Sequence, residues 1–187
     1  GLGKRVAAHA HGAGGINAAL RGGVDSIEHG SYVDDASIAL FRKTGAYLVP
    51  TVIAGVTVAE YSKAQGFLTP AQREKALKVG PLMQAALGRA YKGGVKIAFG
   101  TDMGVGVHGQ NAKEFALMVG AGMPAIEASK AATVNAADLL QLSSSIGTIE
   151  VGKTADIVAV AQDPTRDVKV LERMQFVMRG GMVYVGP

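Results

Sequence analysis

The stretch VAAHAHGAGGINAALR (residues 6–21) decides the fold of this chain. A short apolar run at residues 5–9 leads through a glycine-rich turn into the helix-favouring segment INAALR. A strand that passes through such a turn into a helix is the βα unit from which parallel sheets are built. This stretch therefore predicts the first of a series of βα units.

The same pattern recurs along the first two thirds of the chain. Further strands are predicted at residues 24–28, 46–49 and 96–99, and helices at residues 34–43, 70–91, 114–119 and 124–140. Thr69 and Gln72 form a capping pair around Pro70, which marks the start of the longest helix. Four βα units in succession require parallel strands, with helices covering the sheet.

From about residue 143 the pattern changes to short strands separated by glycine turns. The segments are GTIEVGKTADIVAVAQDP (residues 147–164) and FVMRGGMVYV (residues 176–185), in which Gly180-Gly181 suits a tight hairpin. We therefore expect an α/β part at residues 1–142 and a small β part at residues 143–187. An eight-unit barrel needs about 250 residues, so the first part amounts to about half a barrel.

Composition argues against several classes of protein. The chain has no cysteine, which excludes disulfides, a catalytic thiol and any cysteine-ligated metal. Its net charge of +4 comes from scattered residues and it has no tryptophan, so no nucleic-acid partner is expected. No run reaches the roughly 18 apolar residues of a membrane span, and no leader pattern is visible. We expect a cytoplasmic protein that does not bind a membrane.

Three potential metal ligands lie where a strand-like run meets a glycine-containing turn: His9, His29 and Asp102. Side chains at the ends of successive parallel strands converge on the C-terminal rim of a β/α barrel, where the chemistry of such barrels takes place. Imidazole and carboxylate suit a divalent hydrolytic metal. Taken alone, each histidine is explained by a place in the core, and Asp102 by an Asx turn. The recurrence of such residues at successive strand ends favours a metal site.

Three further residues are candidates for substrate contact. His11 lies two residues after His9 and shares its face if the strand continues, so it is either a second ligand or a substrate-contacting group. His108 lies on the loop after Asp102, either at the mouth or at the surface. Tyr61 belongs to residues 51–68, a segment that is long for a βα loop and could form a lid over the substrate.

A rival interpretation concerns HAHGAGGIN (residues 9–17), which is similar to the dinucleotide fingerprint G-x-G-x-x-G, with Glu28 ending the next strand. Asn17 stands at the third glycine position and would crowd the approach of helix and strand. Two strand-end histidines also have no role in cradling a pyrophosphate. An NAD-binding domain therefore stays the less favoured alternative.

The motifs HAHG, SIEHG and GTD, followed by ATVNAADLL (residues 132–140) and GTIEVGKTADIVAV, resemble those of the amidohydrolase superfamily. The chain is most similar to the branch of imidazolonepropionase-like and Xaa-Pro dipeptidase-type metal hydrolases, and the resemblance covers essentially all of it. The resemblance implies a distorted TIM (β/α)8 barrel beside a small β-sandwich. This chain would supply the C-terminal half of the barrel, strands five to eight, and part of the sandwich.

The resemblance also implies roles for the candidate residues. His9 and His29 would bind one zinc ion, and Asp102 would bind a second and act as general base. A metal-activated water would then cleave the C–N amide bond of a small substrate, namely a dipeptide, an N-acyl amino acid or a related amide.

The same resemblance implies a partner. The family's strand-one HxH pair and strand-four Lys have no counterpart among these residues, so the N-terminal half of the same barrel is expected to supply them. Because a half-barrel leaves open sheet edges and apolar faces, we also expect self-association into a homo-oligomer. The alternative is a non-catalytic half-barrel that binds metal weakly or supports another chain.

Overall fold

The computed structural model of the chain describes residues 2–63 and 68–186. Four parallel strands form one sheet in the order β1-β2-β3-β4: β1 (Ala7–Ala10), β2 (Ser26–His29), β3 (Tyr47–Val49) and β4 (Lys96–Ile97). The helices between them are α1 (Ala13–Arg21), α2 (Asp35–Thr44), α3 (Val52–Tyr61) and α4 (Pro70–Lys92). The predicted series of βα units with parallel strands is confirmed.

The remainder of the chain is helical and then forms a second sheet. Helices α5 (Lys113–Gly120), α6 (Ala125–Ala132) and α7 (Val134–Leu139) precede an antiparallel sheet of β5 (Ile157–Ala159), β6 (Phe176–Arg179) and β7 (Met182–Val185). A 3-10 helix, Val168–Glu172, separates β5 from β6. Gly180 and Gly181 have φ of 57° and 83°, the left-handed pair that a two-residue hairpin requires. The expected division at residue 143 stays a prediction.

Side-chain alternation gives the parallel sheet two different faces. Ile27, Leu48 and Ile97 are at most 3% exposed and belong to the core beneath the helices, which also contains Leu20, Phe41 and Leu87. The opposite face carries His9, Glu28 and Val49, which the strand register places side by side. The candidate site therefore lies at the rim of this second face, against which Leu139 of α7 packs at Tyr47 and Val49.

Helix α4 begins as the sequence predicts. The Thr69 hydroxyl accepts a hydrogen bond from the Gln72 backbone N–H at 3.3 Å, and the Gln72 side chain accepts one from the Thr69 N–H at 3.0 Å. Within the described ranges, no helix combines the length and the apolar character needed to cross a bilayer.

The prediction of a long loop at residues 51–68 is wrong for most of that segment, because α3 occupies Val52–Tyr61. Its many β-branched residues disfavour a helix in isolation. Packing against α4 overrides this preference, since Gly55 and Gly80 allow the two backbones to approach closely. A Cβ atom on Gly80 would lie 2.9 Å from the Gly55 carbonyl oxygen. Residues 64–67 of the predicted lid lie outside the described residues.

The single helix predicted at residues 124–140 is also wrong, because it divides into α6 and α7 at Thr133. The backbone of Thr133 has φ −119° and ψ −91°, outside the helical region. Its hydroxyl donates to the Ser129 carbonyl oxygen at 3.0 Å, and Asn135 donates to the Ile97 carbonyl oxygen at 2.9 Å. The second contact draws α7 towards the end of β4, which the sequence pattern alone does not show.

The packing of α4 on the end of α5 provides a stability prediction. A Cβ atom on Gly88 would lie 2.4 Å from the carbonyl oxygen of Ala121, and backbone atoms cannot move aside as a side chain can. Gly88→Ala is expected to lower the free energy of unfolding by about 1–3 kcal/mol, measured by urea or thermal unfolding. The matched control is Gly14→Ala in α1, where no atom lies within 4 Å of the added carbon. The control should be stabilised by about 0.5–1 kcal/mol, and equal stability of the two variants would contradict the close approach.

Candidate metal centre

Three imidazoles converge at the C-terminal ends of β1 and β2. His9 lies on β1, His11 lies just beyond it, and His29 is the last residue of β2. The ring centroids are 4.4 Å apart for His9 and His29, and 4.8 Å apart for the other two pairs. One nitrogen from each ring lies within 4.8 Å of the others. These three nitrogens could hold a divalent ion such as zinc if the rings moved closer together.

The backbone at this rim is unusual. His29, Thr51 and Asp102 follow or end β2, β3 and β4, and their φ angles are 75°, 47° and 49°. Residues other than glycine rarely adopt this left-handed conformation, and Gln141 is the one other example in the described part of the chain. Strain of this kind persists where the surroundings enforce it, and it clusters at functional sites.

Hydroxyl groups hold two of the three rings. The Nδ1 atom of His11 lies 2.7 Å from the Ser31 hydroxyl, and Nδ1 of His29 lies 2.7 Å from the Thr51 hydroxyl. When each Nδ1–H donates to its hydroxyl, the Nε2 atom keeps its lone pair for a metal.

Burial favours the neutral form of the His29 and His11 rings. It lowers the pKa of His29 to about 4, with smaller effects from the neighbouring imidazoles. The pKa of His11 is also lowered, chiefly by burial and to a smaller extent by the charges of His9 and Lys75. Neutral imidazole is the form that binds metals, so the donor set fits a zinc-like ion.

Asp102 lies at the same cavity as the histidines. This cavity has a volume of about 300 Å³, and its wall is mainly apolar. Its lining comprises the three histidines, Asp102, Gln72, Lys75, Ala54, Gly55, Val58, Leu68, Ala76, Val79, Gly80, Met83 and Val105. The structure thus brings His9, His29 and Asp102 to one cavity, with His11 beside them.

A second carboxyl group lies close to Asp102. Glu28 is next to His9 in the sheet register and accepts a hydrogen bond from the Ser26 hydroxyl at 2.6 Å. Its pKa is raised, chiefly by burial and to a smaller extent by the charge of Asp102, while the Ser26 bond acts in the opposite direction. The rim therefore combines three imidazoles with two interacting carboxyl groups.

The other two predicted substrate contacts lie elsewhere. Tyr61 lines a separate cavity of about 530 Å³ together with Val107 and Glu172. It ends α3, whose residues Ala54, Gly55 and Val58 line the histidine cavity while Tyr61 does not. His108 is exposed and is not part of the lining of the histidine cavity. The sequence argument made Tyr61 a candidate because it took residues 51–68 for a loop that could form a lid. It left His108 either at the mouth or at the surface, and the structure places this residue at the surface.

Three functional candidates were missed from the sequence. Thr51 lies two residues after β3, behind Pro50 and without the adjacent glycine that marked the histidines, so the rule used for the histidines did not select it. Ser31 lies two residues after His29, in a position that only the folded turn connects to His11. Lys75 lies on α4, and no local pattern relates this helix to the rim.

Comparisons with known proteins agree with this geometry. Residues 2–186 match the Amidohydrolase family. The chain is 34% identical to ochratoxinase of Aspergillus niger in an alignment of 190 positions, which covers 97% of this chain and 38% of that protein. The crystal structure of an Xaa-Pro dipeptidase with bound methionine in the active site is 48% identical, with a TM-score of 0.95 over 98% of this chain and 45% of that chain. The imidazolonepropionase of Sphingopyxis alaskensis is 45% identical in a shorter alignment of 67 positions, which covers 34% of this chain and 17% of that protein.

The chain thus spans less than half the length of these relatives. The predicted fold class is confirmed, because its parallel sheet and helices match part of an amidohydrolase barrel. The resemblance based on the HAHG, SIEHG and GTD motifs is confirmed by the same comparisons. Since the family match covers residues 2–186, the chain belongs to the amidohydrolase family.

Proposed function

We propose that this chain takes part in the metal-dependent hydrolysis of a C–N amide bond in a small substrate. The observation that carries the proposal is the meeting of three imidazoles with Asp102 at one cavity. Membership of the amidohydrolase family supports a hydrolase. In the complete barrel we expect two zinc ions, with further ligands from an N-terminal half.

His9 and His29 are the proposed metal ligands. When bound, a divalent zinc-like ion lowers the pKa of a water molecule and polarises the substrate carbonyl. Thr51 orients the His29 ring so that its Nε2 atom is available, and this supports the assignment. We assign His11 to the substrate side, where the Ser31 hydroxyl fixes its ring in a stack 4.8 Å from that of His29.

Asp102 is the proposed general base. Its carboxylate takes the proton of the attacking water as the new C–O bond forms. It then delivers that proton to the amide nitrogen as the C–N bond breaks, so the nitrogen leaves as a neutral amine. The left-handed backbone at Asp102 supports this role, because such strain is retained where side-chain placement matters.

The cavity supports a substrate that has both an apolar group and a carboxylate. Val58, Val79 and Met83 provide apolar wall, and Lys75 on α4 is close enough for its charge to lower the pKa of His11. An ammonium group beside an apolar wall suits a dipeptide or an N-acyl amino acid, whose free carboxylate would pair with Lys75.

The test is a hydrolysis assay with a panel of dipeptides and N-acyl amino acids. The chain is assayed with added zinc, alone and together with a separately supplied N-terminal barrel half. We expect turnover with the complementing half, loss of turnover on chelation, and a higher KM when the substrate carboxylate is replaced by a carboxamide.

The other outcomes favour the alternatives. Zinc binding without turnover under either condition would favour a non-catalytic half-barrel. Binding of a nicotinamide cofactor that survives chelation would favour the dinucleotide interpretation of residues 9–17. Turnover that is insensitive to chelation would contradict the metal-dependent mechanism.

A further inference from the structure

Glu114 is a buried carboxyl group that the proposed chemistry does not use. It lies in the first turn of α5, is 0% exposed, and does not line the histidine cavity. Its Oε1 atom accepts a hydrogen bond from the Val52 N–H at 2.9 Å, and Oε2 accepts one from the Ile53 N–H at 2.7 Å. Burial raises its pKa to about 7, while the two N–H bonds act in the opposite direction.

The two N–H groups belong to the start of α3, which lacks a cap from its own N-cap residue. Thr51 makes no side-chain hydrogen bond to the helix, and its hydroxyl lies 2.7 Å from Nδ1 of His29 instead. The first N–H groups of a helix have no partner within it, and a negative charge there offsets the helix dipole. Glu114 therefore caps α3 from a different helix.

This capping also restrains Thr51. The residue is 3% exposed and has φ 47° and ψ 42°, a left-handed conformation that is costly for a β-branched side chain. Glu114 fixes the next two N–H groups, so Thr51 cannot relax to an extended backbone without breaking those bonds. Its hydroxyl consequently stays beside Nδ1 of His29, and Nε2 remains available at the cavity.

We propose that Glu114 is a positioning residue for His29, acting through the start of α3 and the hydroxyl of Thr51. The inference rests on the proposed function, because it takes His29 to be a metal ligand. Glu114 contacts neither the imidazole nor the cavity, so its effect must pass through Val52 and Ile53.

The experiment uses the form of the protein that is active in the hydrolysis assay, either the chain alone or the chain with the N-terminal barrel half. Two properties of this form are measured. Zinc affinity is determined by competition with a chelator, and the tautomer of His29 by the ¹⁵N resonances of its ring. In Glu114→Gln the amide NH₂ opposes one backbone N–H. We expect zinc affinity to fall about 10–100-fold and the His29 ring to lose its preference for the Nδ1–H tautomer.

Matched variants separate positioning from general stability. Asp34→Ala removes the side chain that caps α2 by accepting the Ser37 N–H at 2.7 Å, and α2 is a different helix from α3. It should lower stability while leaving zinc affinity and the His29 resonances unchanged. Thr51→Val should reproduce the loss of zinc affinity expected for Glu114→Gln. Thr51→Ser keeps the hydroxyl and should keep the zinc affinity of the unaltered protein.

A measurement on the unaltered protein keeps the test decisive if Glu114→Gln does not fold. Coupling between two sites is reciprocal, so zinc should slow hydrogen exchange at the Val52 and Ile53 amides. Unchanged exchange at both amides would overturn this inference and leave the proposed function intact. Zinc affinity of folded Glu114→Gln within about twofold of the unaltered protein would do the same. Absence of zinc binding by the unaltered protein would overturn both this inference and the proposed function.

Discussion

Asp102→Asn is expected to lower kcat by about 10²–10⁴-fold, the usual contribution of a general base. The amide cannot take the proton of the attacking water, whereas the carboxylate can. Asparagine tolerates the left-handed backbone observed at this position, so the variant introduces no new strain. The measurement is kcat on the preferred N-acyl amino acid, with circular dichroism to confirm the fold.

The control for this variant is Asp35→Asn. Asp35 is an exposed acidic residue in the first turn of α2, away from the histidine cavity, and its replacement should leave kcat unchanged. Folded Asp102→Asn protein with kcat within about tenfold of the unaltered enzyme would remove Asp102 from the proposed mechanism.

His29→Asn is expected to reduce zinc affinity by more than about 100-fold, because losing only a partner of a ligand costs about 10–100-fold. Asparagine again tolerates the backbone, since φ is 75° at this residue. The shorter amide cannot place a nitrogen lone pair where the imidazole Nε2 lies. A competition titration with a chromophoric chelator measures the loss, and His9→Asn should behave similarly.

His108→Asn is the matched control for zinc affinity. His108 is exposed on the loop after β4 and lies outside the histidine cavity, so its replacement should leave zinc affinity unchanged. Equal zinc affinity in the His29 and His108 variants would show that the metal does not bind at the rim. Both the ligand assignment and the inference about Glu114 would then be lost.

The sequence predicts well those parts of the molecule whose structure depends on residues that are neighbours in the chain. A short apolar run that ends at a glycine turn marks a strand end, and this pattern alone predicts that His9 and His29 lie at strand ends. Parallel packing then follows from chain connectivity, because each strand is separated from the next by a helix. The strand-end argument also singled out Asp102, which lines the same cavity as the two histidines.

The parts that the sequence does not predict depend on contacts between distant residues. Helix α3 forms from a segment rich in β-branched residues, and its N-terminus is capped by a carboxylate 61 and 62 positions later in the chain. No local pattern in VIAGVTVAEY carries that information. The misplacement of Tyr61 follows directly, since the segment forms a helix whose last residue lines a different cavity.

The left-handed conformation of Thr51 implies a conflict between robustness and activity at a single position. Glycine adopts this backbone geometry without steric cost, so Thr51→Gly would relieve the strain. It would also remove the hydroxyl that orients His29. Selection for a more heat-resistant protein and selection for a more active one would therefore favour different residues at this position.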